Sequence, residues 1–270
     1  MTDDRRPAAV DLFCGLGGWA EGLLAEGWKV IGFDIEQHEY GEHKYPGLLV
    51  MQDVRTLHGS WFKDAALIVA SPPCQEYSYM AMPWKRAKAK AAMIRADTTG
   101  AEHARLTLLF NECFRIQREA CEAAGRHIPL IVENVRGAQP WVGKAAGKYG
   151  SFYLWGDVPV LPTTSKTKVP GFRFDGSGGS FQTASVQEHT KNNGGSWFNI
   201  AHNTTSGKGN NPDGRKVGKD WFGGYGGGFG WDCSPMRRNS SKSKARKFAS
   251  AMIAKIPLPL SQHIARTFKP

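Results

Sequence analysis

An α/β fold built on a mainly parallel sheet is predicted by three observations. Short apolar strands alternate with helical stretches, a glycine-rich turn joins the first strand to the first helix, and polar residues gather where the strands stop. Residues 7–14 (Pro-Ala-Ala-Val-Asp-Leu-Phe-Cys) read as a buried strand. Glycines 15, 17 and 18 follow, then a helical stretch from Trp19 to Glu26. Lys29 to Phe33 form a second strand that ends at Asp34, and Ala66 to Ala70 a third that stops at Ser71-Pro72-Pro73. Leu106 to Ala124 has helical spacing, and Ile128 to Val132 is a fourth strand ending at Glu133. In parallel sheets of this kind ligands bind outside the carboxyl ends of the strands, which is where these polar residues lie.

The composition changes near residue 160. Residues 171–230 hold 16 of the 32 glycines and nine aromatics, with no helical or strand period, so a loop-rich unit is expected there. Helical pattern returns from Ser243 to Phe268. Ala249, Met252, Ile253 and Ile256 share one face, Pro257 breaks the helix, and Leu260, Ile264 and Ala265 mark a last one.

Charge divides in the same direction. Residues 1–135 carry 15 Lys/Arg against 18 Asp/Glu, and residues 136–270 carry 20 against 6. A near-neutral front half followed by a strongly basic back half suggests a catalytic core beside a surface for a polyanion. Solubility from scattered lysines is the plainer account of the same count. No apolar run approaches the roughly 20 residues of a membrane span, and the first residues lack an apolar signal segment, so a cytoplasmic protein without a membrane partner is expected. Five cysteines with no C-x-x-C pair argue against a disulfide framework and against a metal site.

Three sites carry chemistry. Asp11 to Gly18 is a strand, a glycine turn and a helix start, where the backbone can approach a ligand without a Cβ in the way. Asp34, about 20 residues on, is placed to accept both hydrogen bonds of a ribose; Ile35 can cover an adenine face, and Asp53 can accept from an adenine amine. Asp34 and Asp53 as plain surface turn residues is the competing account. In Ser71-Pro72-Pro73-Cys74-Gln75 two prolines stiffen the chain and set Cys74 at a strand end, where a thiolate suits attack on an electron-poor ring carbon. A small buried hydrophobe is the ordinary role of such a cysteine. Glu133-Asn134-Val135 puts a carboxyl group at the next strand end, able to bind a base edge and to give a proton to a ring nitrogen, with Asn134 holding backbone or substrate.

The order Phe13-x-Gly15-x-Gly17-Gly18, then Pro73-Cys74-Gln75, then Glu133-Asn134-Val135, resembles the DNA (cytosine-5)-methyltransferases, over residues 8–136 well and 243–268 loosely. The resemblance implies a Rossmann-like S-adenosylmethionine-dependent methyltransferase core, residues 1–156 and 236–270, with a small loop-rich target-recognition region at 157–235. It implies that Phe13, Gly15, Leu16 and Gly17 form the S-adenosyl-L-methionine loop, with Asp34, Ile35, Asp53, Val54 and Pro72 also on the cofactor. It makes Cys74 the nucleophile that adds to C6 of a flipped cytosine in double-stranded DNA, and Glu133 the residue at N3 and the exocyclic amine. Gln75, Ser78, Lys85, Arg86, Lys88, Arg173, Arg237 and Arg238 are the residues expected on DNA, and a compact bacterial or phage enzyme acting as a monomer is the expected form.

The chain departs from that pattern in three places. The Gln-x-Arg-x-Arg motif is missing, and Lys148 is the nearest basic substitute by its spacing before Phe152-Tyr153-Leu154-Trp155. The closing Gly-Asn-Ser-Val type motif is replaced by Ala249-Ser250-Ala251-Met252. Cys74 and Glu133 stand 59 positions apart, more than is usual, and the surplus includes Lys85, Arg86, Lys88, Lys90 and Arg95 with no acid among residues 85–95. A long basic loop closing over DNA is one expectation for that surplus, and a solvated helix face the other. Two further readings come from other classes. A catalytically weak DNA-binding protein of the same fold accounts for the degenerate motifs. A nicotinamide-dependent oxidoreductase accounts for the glycine turn but leaves Cys74 and Glu133 without a role.

Overall fold

A computed structural model describes residues 5–77, 84–162, 251–252 and 254–270, with the side chains of 84–87 outside that description. The strands are short because each apolar run is closed by a turn former. The first is β1 (Ala8–Leu12), followed by α1 (Gly18–Ala25), β2 (Lys29–Asp34), β3 (Leu48–Met51) and β4 (Leu67–Ala70). Helices α2 (Trp84–Ala96) and α3 (Ala101–Ala124) precede β5 (Leu130–Asn134). The short α4 (Gln139–Val142), the hairpin β6 (Gly147–Tyr149) and β7 (Phe152–Gly156), and the late helix α5 (Leu258–Phe268) complete the described elements.

The described strands form one seven-stranded sheet in the order β3-β2-β1-β4-β5-β7-β6. The five from β1 to β5 run parallel; β7 is antiparallel to β5 and to β6. This is the Rossmann-like α/β architecture that the alternation of elements predicts, with an antiparallel edge. Strands β4 and β5 are buried at every position, as expected where helices cover both faces of a parallel sheet. The chain divides into two compact units, the first of which comprises Met1–Glu39, His43–Thr164 and Leu258–Pro270.

Several boundaries differ from the sequence reading. The helix expected from Leu106 begins at Ala101, because Gly100 takes a left-handed φ of 73° that ends the preceding turn. Residues 84–96 form a helix, not a long loop, with Ala91 and Ile94 buried on one side. Strands β3, β6 and β7 were not anticipated; β3 is four residues with exposed ends and β6 only three, too short for alternation to register. Residues 251, 252 and 254 are helical, while Ala249 and Ile253 of the expected face lie outside the described residues. No helix of the described residues is long and apolar enough to cross a membrane.

Helix α5 is fixed to α1 by a dense set of contacts. The Ser261 hydroxyl donates to the Trp19 carbonyl at 2.5 Å, the Trp28 indole donates to the Ala265 carbonyl at 3.2 Å, and Arg266 pairs with Glu26 at 2.7 Å. Gly22 lets the two helices approach: a methyl group there would meet the Ser261 side chain and the main-chain nitrogen of Gln262. Alanine gains about 1 kcal/mol of helix propensity over glycine, whereas overpacking costs about 1–3 kcal/mol, and a backbone neighbour cannot turn aside as a side chain can. Gly22→Ala is therefore expected to lower the melting temperature by about 3 °C or more in calorimetry; an unchanged or raised value would contradict this close approach.

Candidate active site

The glycine turn sits at the carboxyl end of β1. Phe13 adopts a φ of 56°, the one non-glycine residue with positive φ among those described, and Gly15 and Gly17 follow at 51° and 75°. Such strain in a bulky residue is held only where the surroundings enforce it, and it marks a functional turn. The Gly15 amide donates to Asp34 Oδ2 at 3.0 Å, and the Glu36 amide donates to Oδ1 at 3.1 Å. These two bonds orient the Asp34 carboxylate at the end of β2 and leave other lone pairs for hydroxyl donors. A Cβ built on Gly15 meets nothing within 4 Å, whereas one on Gly17 would strike Tyr45 and Pro46. The turn is open on its Gly15 side and wedged on its Gly17 side, which is the shape of a ligand cradle with a fixed wall.

Behind this cradle lies a cluster that the sequence reading missed. Asp11 is fully buried, its Oδ2 accepting from the Tyr45 hydroxyl at 3.4 Å, and burial pushes its carboxyl well above the usual range. Burial, with Asp11 and Asp34 nearby, also pushes the Cys14 thiol up strongly, which makes it an inert packing residue. Only a polar residue inside an apolar strand hinted at Asp11; nothing in the sequence signalled Tyr45.

The other residues expected on the cofactor are more dispersed in role. Leu16 and Val54 are buried, Val54 within the main core cluster, and Pro72 is buried under the nucleophile's turn. Ile35 stands 72% exposed beside Asp34. Asp53 caps a short 3-10 turn and is held by Arg55, whose Nε donates at 2.9 Å; that partner keeps its carboxyl below the usual range.

Cys74 follows β4 after the two prolines and is half-buried, while Gln75 is exposed. The turn is anchored from behind. The Tyr77 hydroxyl donates to the Leu106 carbonyl at 2.8 Å, and Glu76 pairs with Lys90 and Arg105 at 3.1 and 3.2 Å. Across the gap, Asn134 is fully buried; its amide donates to the Pro72 carbonyl at 3.0 Å and its own carbonyl accepts from the Val135 amide at 2.8 Å. Asn134 thus ties the two strand ends together.

Glu133 is buried beside Cys74. Burial pushes its carboxyl up to about 8, with a hydrogen bond from the Ser71 hydroxyl opposing the rise. The Cys74 thiol is pushed up to about 11, first by burial and then by the charge of Glu133. At neutral pH the pair therefore holds both protons, a carboxylic acid facing a thiol. Ser71 in turn accepts from the Trp19 indole at 3.0 Å.

The residues expected on DNA divide into three groups. Lys88 is exposed on α2, and Lys85 and Arg86 belong to the same helix with side chains outside the described residues. Ser78, Arg173, Arg237 and Arg238 lie outside the described residues. Lys148 is exposed on the β6 hairpin, in register with Tyr153 and through it with Asn134, two strands away from β5.

Residues 8–139, just under half of the chain, match the model of the C-5 cytosine-specific DNA methylase family. The match spans the glycine turn, Cys74 and Glu133. C-5 DNA methyltransferases take their methyl group from S-adenosylmethionine. Among solved structures, the chain is similar to a candidate DNA modification methyltransferase encoded within an E. coli prophage, at 24% identity over 49% of this chain and 33% of that one, with a TM-score of 0.32. It is also similar to the S. pombe Dnmt2 methyltransferase, at 17% identity over 52% and 37% with a TM-score of 0.32. A third likeness is to the Entamoeba histolytica methyltransferase EhMeth, at 14% over 52% and 41% with a TM-score of 0.32. The aligned part thus amounts to between a third and two-fifths of those chains. No curated protein matches the chain.

The raised carboxyl at Glu133 has a consequence for stability. In the unfolded chain it ionises near 4.5, and in the folded protein only near 8. Its contribution is fully present below the lower value and is lost as pH rises through the upper one, because only the unfolded state gains the solvated charge in between. Glu133→Gln removes that titration. Its melting temperature is expected to exceed the parent's by a margin that grows from pH 5 to pH 8, reaches roughly 10 °C and then levels off. A margin independent of pH in calorimetry would show that Glu133 is not buried as a neutral acid.

Proposed function

We propose that this protein transfers a methyl group from S-adenosylmethionine to C5 of a flipped cytosine in double-stranded DNA, through a covalent Cys74–C6 adduct. The observation that carries this reading is the pairing of a half-buried thiol with a buried, protonated carboxyl group at adjacent strand ends. A thiol adds to C6 of a pyrimidine only if the ring accepts electrons, and a proton at N3 lets it do so. Glu133, neutral up to about pH 8, is an acid in the protonation state for that task. Cys74 gives its proton to solvent as its sulfur bonds to C6, and Glu133 delivers a proton to N3. The electron pair displaced from the C5–C6 bond makes C5 nucleophilic. Bound S-adenosylmethionine supplies an electrophilic methyl group for that carbon. Loss of the C5 proton to solvent expels Cys74 as thiolate, and the N3 proton returns to Glu133. The base must leave the duplex stack for C6 to reach the sulfur.

The cradle fits the cofactor. The open side of Gly15 admits a ligand against the main chain, the oriented Asp34 carboxylate suits two ribose hydroxyls, and exposed Ile35 offers an apolar face to an adenine. Asp53 and Val54 would meet the adenine from the next turn, and Phe13, Leu16, Gly17 and Pro72 would complete the walls. Asn134 acts by holding the turn of Cys74. Gln75, Ser78, Lys85, Arg86 and Lys88, with Arg173, Arg237 and Arg238 of the basic back half, would meet DNA, and Lys148 would supply the positive charge of the missing arginine motif. Residues 157–235 would read the target sequence. A monomer working in the cytoplasm suits the four described cysteines, all free thiols.

Two measurements test this reading. Duplex DNA carrying 5-fluorocytosine at the target is expected to form a covalent complex in the presence of the cofactor, because fluorine at C5 cannot be abstracted as a proton is. Cys74→Ser abolishes it. Absence of any such complex, together with no labelled methyl group in ordinary DNA, would sink the proposal. Separately, Asp34→Ala is expected to weaken S-adenosylmethionine binding about tenfold or more in titration calorimetry, the cost of losing hydrogen bonds to a charged acceptor. An unchanged affinity would remove Asp34 from the ribose.

A further inference from the structure

Ser71 stands between the last residue of β4 and the proline pair, one step past the Ala70–Val132 pair, which sets it opposite Glu133 in the β4–β5 register. Its hydroxyl accepts from the Trp19 indole at 3.0 Å and has its own proton left for the Glu133 carboxyl group beside it. These directions follow from the groups themselves. An indole N–H only donates, so Ser71 meets it with a lone pair, and the single hydroxyl proton is left for Glu133. Trp19 is 2% exposed, so its N–H has little access to water and depends on this partner. The position of Trp19 is itself fixed, since its main-chain carbonyl accepts from Ser261 of α5 at 2.5 Å.

We propose that Ser71, oriented by Trp19, is a positioning residue that fixes which oxygen of Glu133 carries the proton offered to the base. The carboxyl oxygen facing Ser71 is an acceptor, so the acidic proton sits on the other oxygen. Trp19 lies in the first turn of α1, directly after the glycine turn, and the relay therefore joins the cofactor cradle to the proton donor through side chains alone. The inference rests on the reading of Glu133 as the acid that protonates cytosine. Among the described residues, the titratable group that feels Glu133 is the Cys74 thiol, which keeps its proton to about 11 and stays neutral while Glu133 titrates.

The test follows Glu133 directly in the full-length protein with carboxyl-13C glutamate, its resonance assigned by its loss in Glu133→Gln. The parent is expected to titrate near 8. Ser71→Ala raises the midpoint by about one half to one pH unit, the size of one lost hydrogen bond to the charged form. Trp19→Phe, which keeps a buried ring and removes the N–H, moves it the same way. The double variant moves no further than Ser71→Ala, because Trp19 acts through Ser71. Ser71→Thr keeps the hydroxyl and restores the parental midpoint. An unmoved midpoint in folded Ser71→Ala, or additive shifts in the double variant, overturns the relay. In methylation assays the alkaline limb of kcat moves with the same midpoint while KM for the cofactor holds. A shifted midpoint without methylated cytosine leaves the relay standing and removes the functional reading; methylation with an unmoved midpoint does the reverse.

Discussion

Everything at the carboxyl edge of the sheet depends on where the ladder between β4 and β5 stops. Its last pair is Ala70 with Val132. Beyond it the chain runs through Pro72 and Pro73, which have no N–H to give, so the strands cannot continue as a sheet. The Asn134 side chain takes over, donating to the Pro72 carbonyl where a backbone amide would have done so. The two chains remain tied beyond that pair, with Cys74 following one strand and Glu133 near the end of the other. The cysteine is thus placed by a missing donor and its replacement.

The same edge concentrates groups that are expensive to ionise. Glu133 and Asp11 are carboxyl groups buried near the carboxyl ends of β5 and β1, with β4 between them, and burial pushes both above the usual range. Asp34 differs in its partners, accepting from the main-chain amides of Gly15 and Glu36. One sheet edge thereby sets carboxyl groups in unlike surroundings, although the residue types are nearly the same.

Much of this was legible in the sequence, and the legible part has a common cause. Asp34, Cys74 and Glu133 announce themselves because an apolar run stops at each, and periodicity reports such stops well. Gly15 and Gly17 were legible because only glycine passes easily through left-handed backbone. The wedge of Tyr45 and Pro46, the relay from Trp19 through Ser71, and the ion pairs of Glu76 were not legible. Each joins residues 14 to 52 positions apart, or across a sheet, with no local pattern to mark them. The segment 84–96 shows the opposite limit. Its run of Lys and Arg spoke of charge, while its helical form rests on two small apolar contacts, Ala91 and Ile94, that a basic composition hides.

The docking of α5 on α1 closes a circuit of more than 230 residues: the Ser261–Trp19 bond spans 242 positions. Loop-closure entropy grows only with the logarithm of length, at about 0.6 kcal/mol for each doubling. The helix behind the glycine turn can therefore be secured by a distant segment almost regardless of how much chain intervenes. That insensitivity leaves the stretch between Thr164 and Leu258 free to lengthen, shorten or be exchanged over generations with little effect on the core. It also sets an order of events on the ribosome. The cradle's supporting helix waits, unbraced, until Leu258–Phe268 has emerged, long after the glycine turn itself.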